Sequence, residues 1–479
     1  MKIILLYPKW TSEYGIFGHF AKKGSTWPPL NLAYIAAIAE RKGHIVKIID
    51  GQAEGLSLKA IIDQTEEFGP DLIGITATTP FFNVVNTLAK GLKNRMGEKA
   101  IIIGGHHITV LKEKAFFPWF DYAFIGEAEN SWNEFLEQYE NDKDISEVKG
   151  ILYRKKENIV FTGNVDSIQD IDSIPYPARH LLNSSLYKMG TLRGTKQFTT
   201  IMTARGCPFR CIFCSTEVFG RRVRKRKPSS VIDEMKYIIN KQGTKHFIFL
   251  DDTLTLDRKH ILDICKLIEE KNLNITFEGN TRADFVDEEI ILHMSRAGLI
   301  RISFGLETVD ENIKTIIKKD VPLESYKIAN KLTNKYGIET LNSCMIGLPG
   351  ETISTVKKTL DFLKNSREIK QANMSIAIPY PGTELYEMAK KGEYGLKLIT
   401  DDFSKYRRYN SAVMFVGKLS PKDLIKLQNK AYIDIYSMPW RIVPMLKKSG
   451  IFGGVLTLSR AVKHVINNLS LINRIKIGA

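Results

Sequence analysis

The chain has 479 residues, 43% of them hydrophobic and 25% charged. That is the balance of a folded globular protein of two or three domains, and it excludes an extended disordered chain. The formal net charge of +16 points to anionic partners (nucleic acid, a membrane surface, a carboxylated or phosphorylated substrate) or to a Lys-rich solvated surface.

Five cysteines, three of them within eight residues, exclude a disulfide framework and fit a metal site in a reducing compartment. The opening Met1–Pro8 is apolar but too short for a signal peptide, and no apolar run nears the ~18 residues of a bilayer span. A cytoplasmic protein is the expectation.

Residues 1–140 alternate strand-like runs (Ile3–Tyr7, Ile45–Ile49, Leu72–Thr76, Ile101–Gly104, Tyr122–Ile125) with amphipathic helical stretches. This predicts an α/β fold, a doubly wound Rossmann-like parallel sheet with ligands at the carboxyl ends of its strands. Residues 141–195 read as a connector with a small hairpin, Ile151–Arg154 and Ile159–Thr162. Between 196 and 390 six further strand–helix units predict a partial (β/α)6 barrel with chemistry at its strand ends.

Residues 391–479 read as a mainly helical, basic region. After Asp434 no acidic residue follows, and Arg441, Lys447, Lys448, Arg460, Lys463, Arg474 and Lys476 interleave with apolar residues. Basic amphipathic segments lie on anionic membranes, so residues 435–479 are expected to make peripheral contact with a membrane or a lipid-like substrate. The alternative is a tail that packs on the barrel.

The sharpest local feature is Gly206-Cys207-Pro208-Phe209-Arg210-Cys211-Ile212-Phe213-Cys214. Cys-x3-Cys-x2-Cys gathers three thiolates on one short loop, and thiolates are the usual ligands of iron–sulfur clusters. Three ligands on a four-iron, four-sulfur (4Fe-4S) cluster leave one iron open, as a catalytic metal requires. Zinc would need a fourth ligand, usually from a second cysteine pair, and Cys265 and Cys344 stand alone.

This loop and its place after the first strand of the second series resemble the radical S-adenosylmethionine (SAM) superfamily. Residues 1 to about 390 resemble the subgroup with an N-terminal cobalamin (B12)-binding-type domain, which includes anaerobic magnesium-protoporphyrin ester cyclases and many radical SAM methyltransferases. The resemblance implies Cys207, Cys211 and Cys214 as cluster ligands, SAM on the open iron, an external one-electron reductant, and cobalamin as a further cofactor.

It also implies cofactor contacts at strand ends. Asp251 and Asp252 stand where the subgroup has an acidic pair near SAM. Glu278 and Arg282 follow the next strand, the Arg being suited to the SAM carboxylate or to a surface ion pair. Glu307 belongs to a Gly-x-Glu-type element, and Gly347 and Gly350 to a segment beside the adenine. In the first domain Trp27–Ala33 resembles the Pro-Pro-Leu-Gly-Leu-Ala opening, and Thr76, Gly104, Gly105, His106, Gly126 and Glu127 lie in loops that would hold a corrinoid. His107 is a further corrin candidate, or an ordinary loop residue.

One departure concerns the lower face of cobalt. Asp50-Gly51-Gln52-Ala53-Glu54-Gly55 has Gln where the Asp-x-His-x-x-Gly pattern has its His, and it follows the second strand rather than the first. The basic run Arg221–Lys227 reads as a cover for SAM, a grip on an anionic substrate, or a solvated stretch; nucleic acid ranks last because no aromatic platform accompanies it.

The expected activity is C-methylation of an unreactive carbon by a cobalamin-dependent radical SAM methyltransferase. The alternatives are a cyclase-type oxidation or rearrangement, and a non-catalytic cobalamin or iron–sulfur sensor.

Overall fold

A computed structural model describes residues 1–11, 26–191 and 194–441. The first domain is a seven-stranded sheet in the order β2-β1-β3-β4-β5-β6-β7. Strands β1 (Lys2–Tyr7), β2 (Ile45–Asp50), β3 (Leu72–Thr76), β4 (Ala100–Gly104) and β5 (Tyr122–Phe124) run parallel. Helices bury both faces, which is why the strands read as unbroken apolar runs. Along β1, Ile3 and Leu5 pack against Leu32 and Ala36, while Ile4 and Leu6 pack against Ile61 and Leu88. The order reverses beside β1, the point at which such sheets open a ligand crevice.

The segment read as a connector does more than connect. Its hairpin, β6 (Ile151–Lys155) and β7 (Asn158–Phe161), adds antiparallel to β5 and extends the sheet.

The second domain is a parallel six-stranded sheet, β8 (Thr199–Ile201), β9 (His246–Phe249), β10 (Thr276–Thr281), β11 (Leu299–Glu307), β12 (Glu339–Ile346) and β13 (Gln371–Ile376), in sequence order. Burial alternates along β11: Ile302, Phe304 and Leu306 join the core beneath the helices, whereas Arg301, Ser303 and Gly305 are half-buried on the other face. Helix Arg258–Glu270 buries Ile261, Ile264, Cys265 and Ile268 at helical spacing, which makes Cys265 a core residue. Cys344 is likewise buried in β12.

The first domain touches both ends of this sheet. On the β8 side Ala53 packs with Tyr187, Phe198 and Ile248, and the Tyr187 hydroxyl donates to Asp50 at 2.9 Å. Beyond β13, Phe403 meets His107 edge-on at 4.9 Å, and Asn83 donates to Asp402 at 3.1 Å.

The outer edge of β13 is covered by helix Pro421–Tyr436, which starts at a Ser420–Asp423 capping box. The Ala372 N–H donates to the Tyr436 hydroxyl at 3.2 Å, the Met374 N–H to the Tyr432 hydroxyl at 3.4 Å, and Gln428 donates to the Met374 carbonyl at 2.8 Å. Arg441 is buried and donates to the carbonyls of Ile435, Leu363 and Ile369. The remainder of the expected membrane-contact segment lies outside the described residues. Among these, no helix is long and apolar enough to cross a membrane.

Candidate active site

The cysteine loop is pinned at its base. Ala204–Arg205 pairs antiparallel with Arg224–Lys225, closing a loop over residues 206–223. Gly206 has φ +94°, and a Cβ there would meet the Arg222 carbonyl, so only glycine fits the turn. Buried Ile212 anchors the middle: its N–H donates to the Ile317 carbonyl at 3.2 Å and its carbonyl accepts from the Leu385 N–H at 2.9 Å.

The three thiols are free, two half-buried and one exposed. They are close enough to act on one another electrostatically. Although Cys214 is the exposed one, enclosing protein first, then Asp252, Cys207 and Cys211, push its thiol up to about 11; burial also raises Cys211 against the pull of Lys319 and Arg282. Metal binding displaces such protons. Among the described residues no three His, Cys, Asp or Glu side chains converge at single-ion spacing. Three neighbouring thiols on one loop suit a cluster, whose ligands sit on separate irons.

Beside this loop lies a buried ion pair that sequence reading missed in part. Glu307, at the end of β11 with φ +59°, accepts from Lys319 at 2.7 Å. Gly305 leaves room for it, since a Cβ there would run into the Lys319 amine. The second Glu307 oxygen, Oε2, is buried without a hydrogen-bond partner, so one acceptor is left for an amine or hydroxyl. Lys319 carries no motif of its own; only the fold brings it to the cysteines.

A narrow cleft separates the loop's return strand from Asp251–His260, with Gly206, Lys225, Asp252 and Thr253 in its lining. Asp252 is open to this cleft, yet the surrounding protein raises its pKa. The Thr253 hydroxyl is 3.9 Å from the Cys207 sulfur.

Other predicted residues have partners within the protein. Asp251 accepts from the Thr203 N–H at 2.7 Å and from its hydroxyl, which takes up both carboxylate oxygens. Glu278 pairs with Arg301 at 2.7 Å and faces His246 at 3.3 Å. Arg282 donates two hydrogen bonds to Asp284 and stacks 3.8 Å from the Phe209 ring centroid, so it braces the cysteine loop. Asp257 caps the following helix.

Gly347 and Gly350 form a turn closed by Glu351, whose buried Oε2 accepts from the Gly347 and Leu348 N–H groups at 2.5 and 3.2 Å. Burial raises the Glu351 pKa from 4.5 to about 8. Between those values the folded chain holds a proton that the unfolded chain has released. Stability is therefore expected to fall by up to about 1.4 kcal/mol per pH unit across that window and to level off above it. Glu351→Gln should flatten the slope in urea titrations at a series of pH values; an unchanged slope would mean that the carboxyl is ionised in the fold.

The basic run is not a ligand grip along its whole length. Arg224 and Arg226 are buried, Arg224 on Glu127 and Arg226 on Glu234 and Asp172, while Lys225 pairs with Asp257. Arg221 donates to the Phe209 carbonyl.

In the first domain the strand-end loops gather at the carboxyl edge. Thr76 accepts from Asn31 at 2.8 Å. Gly105, φ +105°, follows Gly104; a Cβ on it would sit 2.5 Å from the Ala77 carbonyl oxygen. His106 opens helix His106–Leu111 and is exposed, although enclosing protein lowers its pKa. The Trp10 and Phe81 rings stack at 5.4 Å on the same edge.

His107 is instead a core residue, tilted on Phe82 at 4.1 Å, and burial drives its pKa to about 3. Glu127, expected at the corrinoid edge, has both oxygens on Arg205 and Arg224. Gln52 is buried, with its oxygen accepting from Thr11 at 3.2 Å.

Residues 201–363 match the radical SAM superfamily, and residues 19–136 match the B12 binding domain. The uncharacterized methyltransferase PH0819 of Pyrococcus horikoshii is 34% identical over 442 residues, 92% of this chain and 93% of the relative. The anaerobic magnesium-protoporphyrin IX monomethyl ester cyclase of Cereibacter sphaeroides is 28% identical, covering 92% of this chain and 72% of the relative.

The radical SAM methyltransferase TsrM of Kitasatospora setae, solved with cobalamin and a 4Fe-4S cluster, shares the fold with a TM-score of 0.71 at 16% identity, over 91% of this chain and 88% of its own. The cobalamin-dependent SAM radical enzyme OxsB, solved with aqua-cobalamin and SAM, gives 0.72 at 17% identity, over 99% and 71%. The fold is thus common to both solved enzymes. With a relative of 34% identity across nearly its whole length, the chain belongs to the radical SAM superfamily, as an enzyme of the group that carries an N-terminal B12-binding domain and includes methyltransferases and cyclases.

Proposed function

We propose that the protein methylates an unreactive carbon of a small-molecule or lipid-like substrate. In this reading Cys207, Cys211 and Cys214 hold a 4Fe-4S cluster, SAM lies against its open iron, and cobalamin rests on the rim of Thr76, Gly104, Gly105 and His106. The observation that carries it is one chain joining three free, mutually interacting thiols on a pinned loop to a B12-type rim. When bound, the cluster supplies the electron that splits SAM to a 5′-deoxyadenosyl radical, and the corrinoid supplies the methyl group.

The protein's own part is to bind and orient. Glu307 Oε2 is a free buried acceptor for the SAM amine, with Lys319 holding the other oxygen. Asp252 offers a carboxylate in the adjoining cleft. An external one-electron reductant completes the cycle.

Anaerobic reconstitution with iron, sulfide and hydroxocobalamin tests this. Retained corrinoid bands above the cluster absorption, with 5′-deoxyadenosine and methylated product, are expected. A cluster without corrinoid would sink methyl transfer and favour the cyclase-type rearrangement, the second reading, which the 28% identical cyclase supports. Residues 442–479, which carry no acidic side chain, favour peripheral contact with anionic lipid. Co-sedimentation with anionic vesicles, lost on removal of residues 442–479, is the corresponding test.

A further inference from the structure

The strand pair that closes the cysteine loop carries a second feature. Arg205 and Arg224 are direct cross-strand partners, so their side chains share one face. Both reach into the first domain and meet the same carboxylate. Glu127 accepts from Arg205 at 2.9 Å through Oε1 and from Arg224 at 2.5 Å through Oε2. The other Arg205 nitrogen donates to Glu129 at 2.6 Å, and Arg224 also donates to the carbonyls of Ile168 and Phe219. The Arg205 guanidinium lies between the rings of Tyr34 and Phe219, 5.4 and 5.0 Å from their centroids.

All four charged groups are buried. Burying such groups costs desolvation that an apolar contact would avoid, and fixing register is their best-attested use. Planar forks bonded at both ends fix distance and angle together.

The contacts run on toward the corrin-type rim. The Gly126 N–H, next to Glu127, donates to the Thr109 hydroxyl at 3.1 Å. Thr109 belongs to helix His106–Leu111, which begins at the rim. An unbroken series of hydrogen bonds and covalent links therefore joins Cys207 to His106.

We propose that Arg205 and Arg224, clamped on Glu127 and Glu129, are positioning residues that set the separation and mutual orientation of the iron–sulfur cluster and the corrinoid. This rests on the cofactor assignments proposed above. The clamp makes the span between the two groups a property of the protein rather than of the bound substrate.

The test is pulsed dipolar EPR on holoenzyme with the cluster reduced and the corrinoid as cob(II)alamin, both of which carry one unpaired spin. The wild type should give one narrow distance. Glu127→Gln, and more mildly Arg205→Lys, which lacks the planar fork that fixes the two carboxylates at once, should at least double the width of the distribution or move it by several ångströms, with iron and corrinoid content retained.

Unchanged narrow distances in both variants, with only a lower unfolding midpoint, would overturn the proposal and leave a merely structural role. If Glu127→Gln loses its cluster, Arg205→Lys decides. If the wild type retains no corrinoid, the cobalamin reading fails rather than the clamp. Amide hydrogen exchange in the cluster-loaded protein then judges the clamp: faster exchange in residues 126–129 and 206–223 of Arg205→Lys together supports it, and no change refutes it.

Discussion

Single Ala replacements of Cys207, Cys211 and Cys214 are expected to bring bound iron and sulfide to background and to end release of 5′-deoxyadenosine, while far-UV circular dichroism stays that of the wild type. The thiols contribute little to the core, two being half-buried and one exposed. What holds the loop is elsewhere: the strand pair at its base, the buried side chain of Ile212 and the Arg282–Phe209 stack. The protein should therefore fold and lose only its metal. Cys265→Ala and Cys344→Ala provide the contrast. Both residues lie in the barrel core, so their replacement lowers stability and leaves iron content unchanged. A triplet variant that kept the broad cluster absorbance would place the ligands elsewhere.

The largest loss of stability is expected from Glu234→Ala. Glu234 is buried on helix Pro228–Gln242 and accepts from Arg179 at 2.8 Å and from Arg226 at 2.5 Å. Removing the carboxylate takes a shared ionic partner from two buried guanidinium groups, leaving Arg179 on the Thr199 hydroxyl and Arg226 on Asp172. Breaking a buried ion pair from one side costs about 3–5 kcal/mol, to be read as a fall in the urea midpoint of the barrel. Restoring a nearly apolar site by combining Glu234→Leu with Arg179→Leu and Arg226→Leu should recover much of the loss. Failure to recover would mean that the loss comes from helix packing rather than from uncompensated charge.

The two domains and the cysteine loop were legible because their signals are local. Alternating strand and helix periods, and three cysteines over eight residues, survive without knowledge of long-range partners. The basic run was read less well. Its buried members, Arg224 and Arg226, alternate with Lys225 and Lys227, the period-two pattern of an extended segment, and that signal was present in the sequence. Their partner carboxylates, Glu127 and Glu234, were not recognisable, since one lies 97 residues away in another domain.

Glu127 itself sits in a strand-end loop, where the general rule for open sheets points to ligands; the fold uses that loop for contact between domains. Lys319 was missed for a related reason. A lysine in a lysine-rich chain carries no mark until Gly305 and Glu307 are seen to make a place for it.

The tyrosine-lined covering of β13 bears on where the barrel can be said to end. A chain stopped before Ser420 would keep all six strands and all five cysteines, but the amides of Ala372 and Met374 would lose the hydroxyl groups that receive them. An open strand edge of that kind is a template for self-association. A piece of this enzyme cut back to its catalytic sheet is therefore expected to self-associate along β13, and a minimal fragment should include helix Pro421–Tyr436.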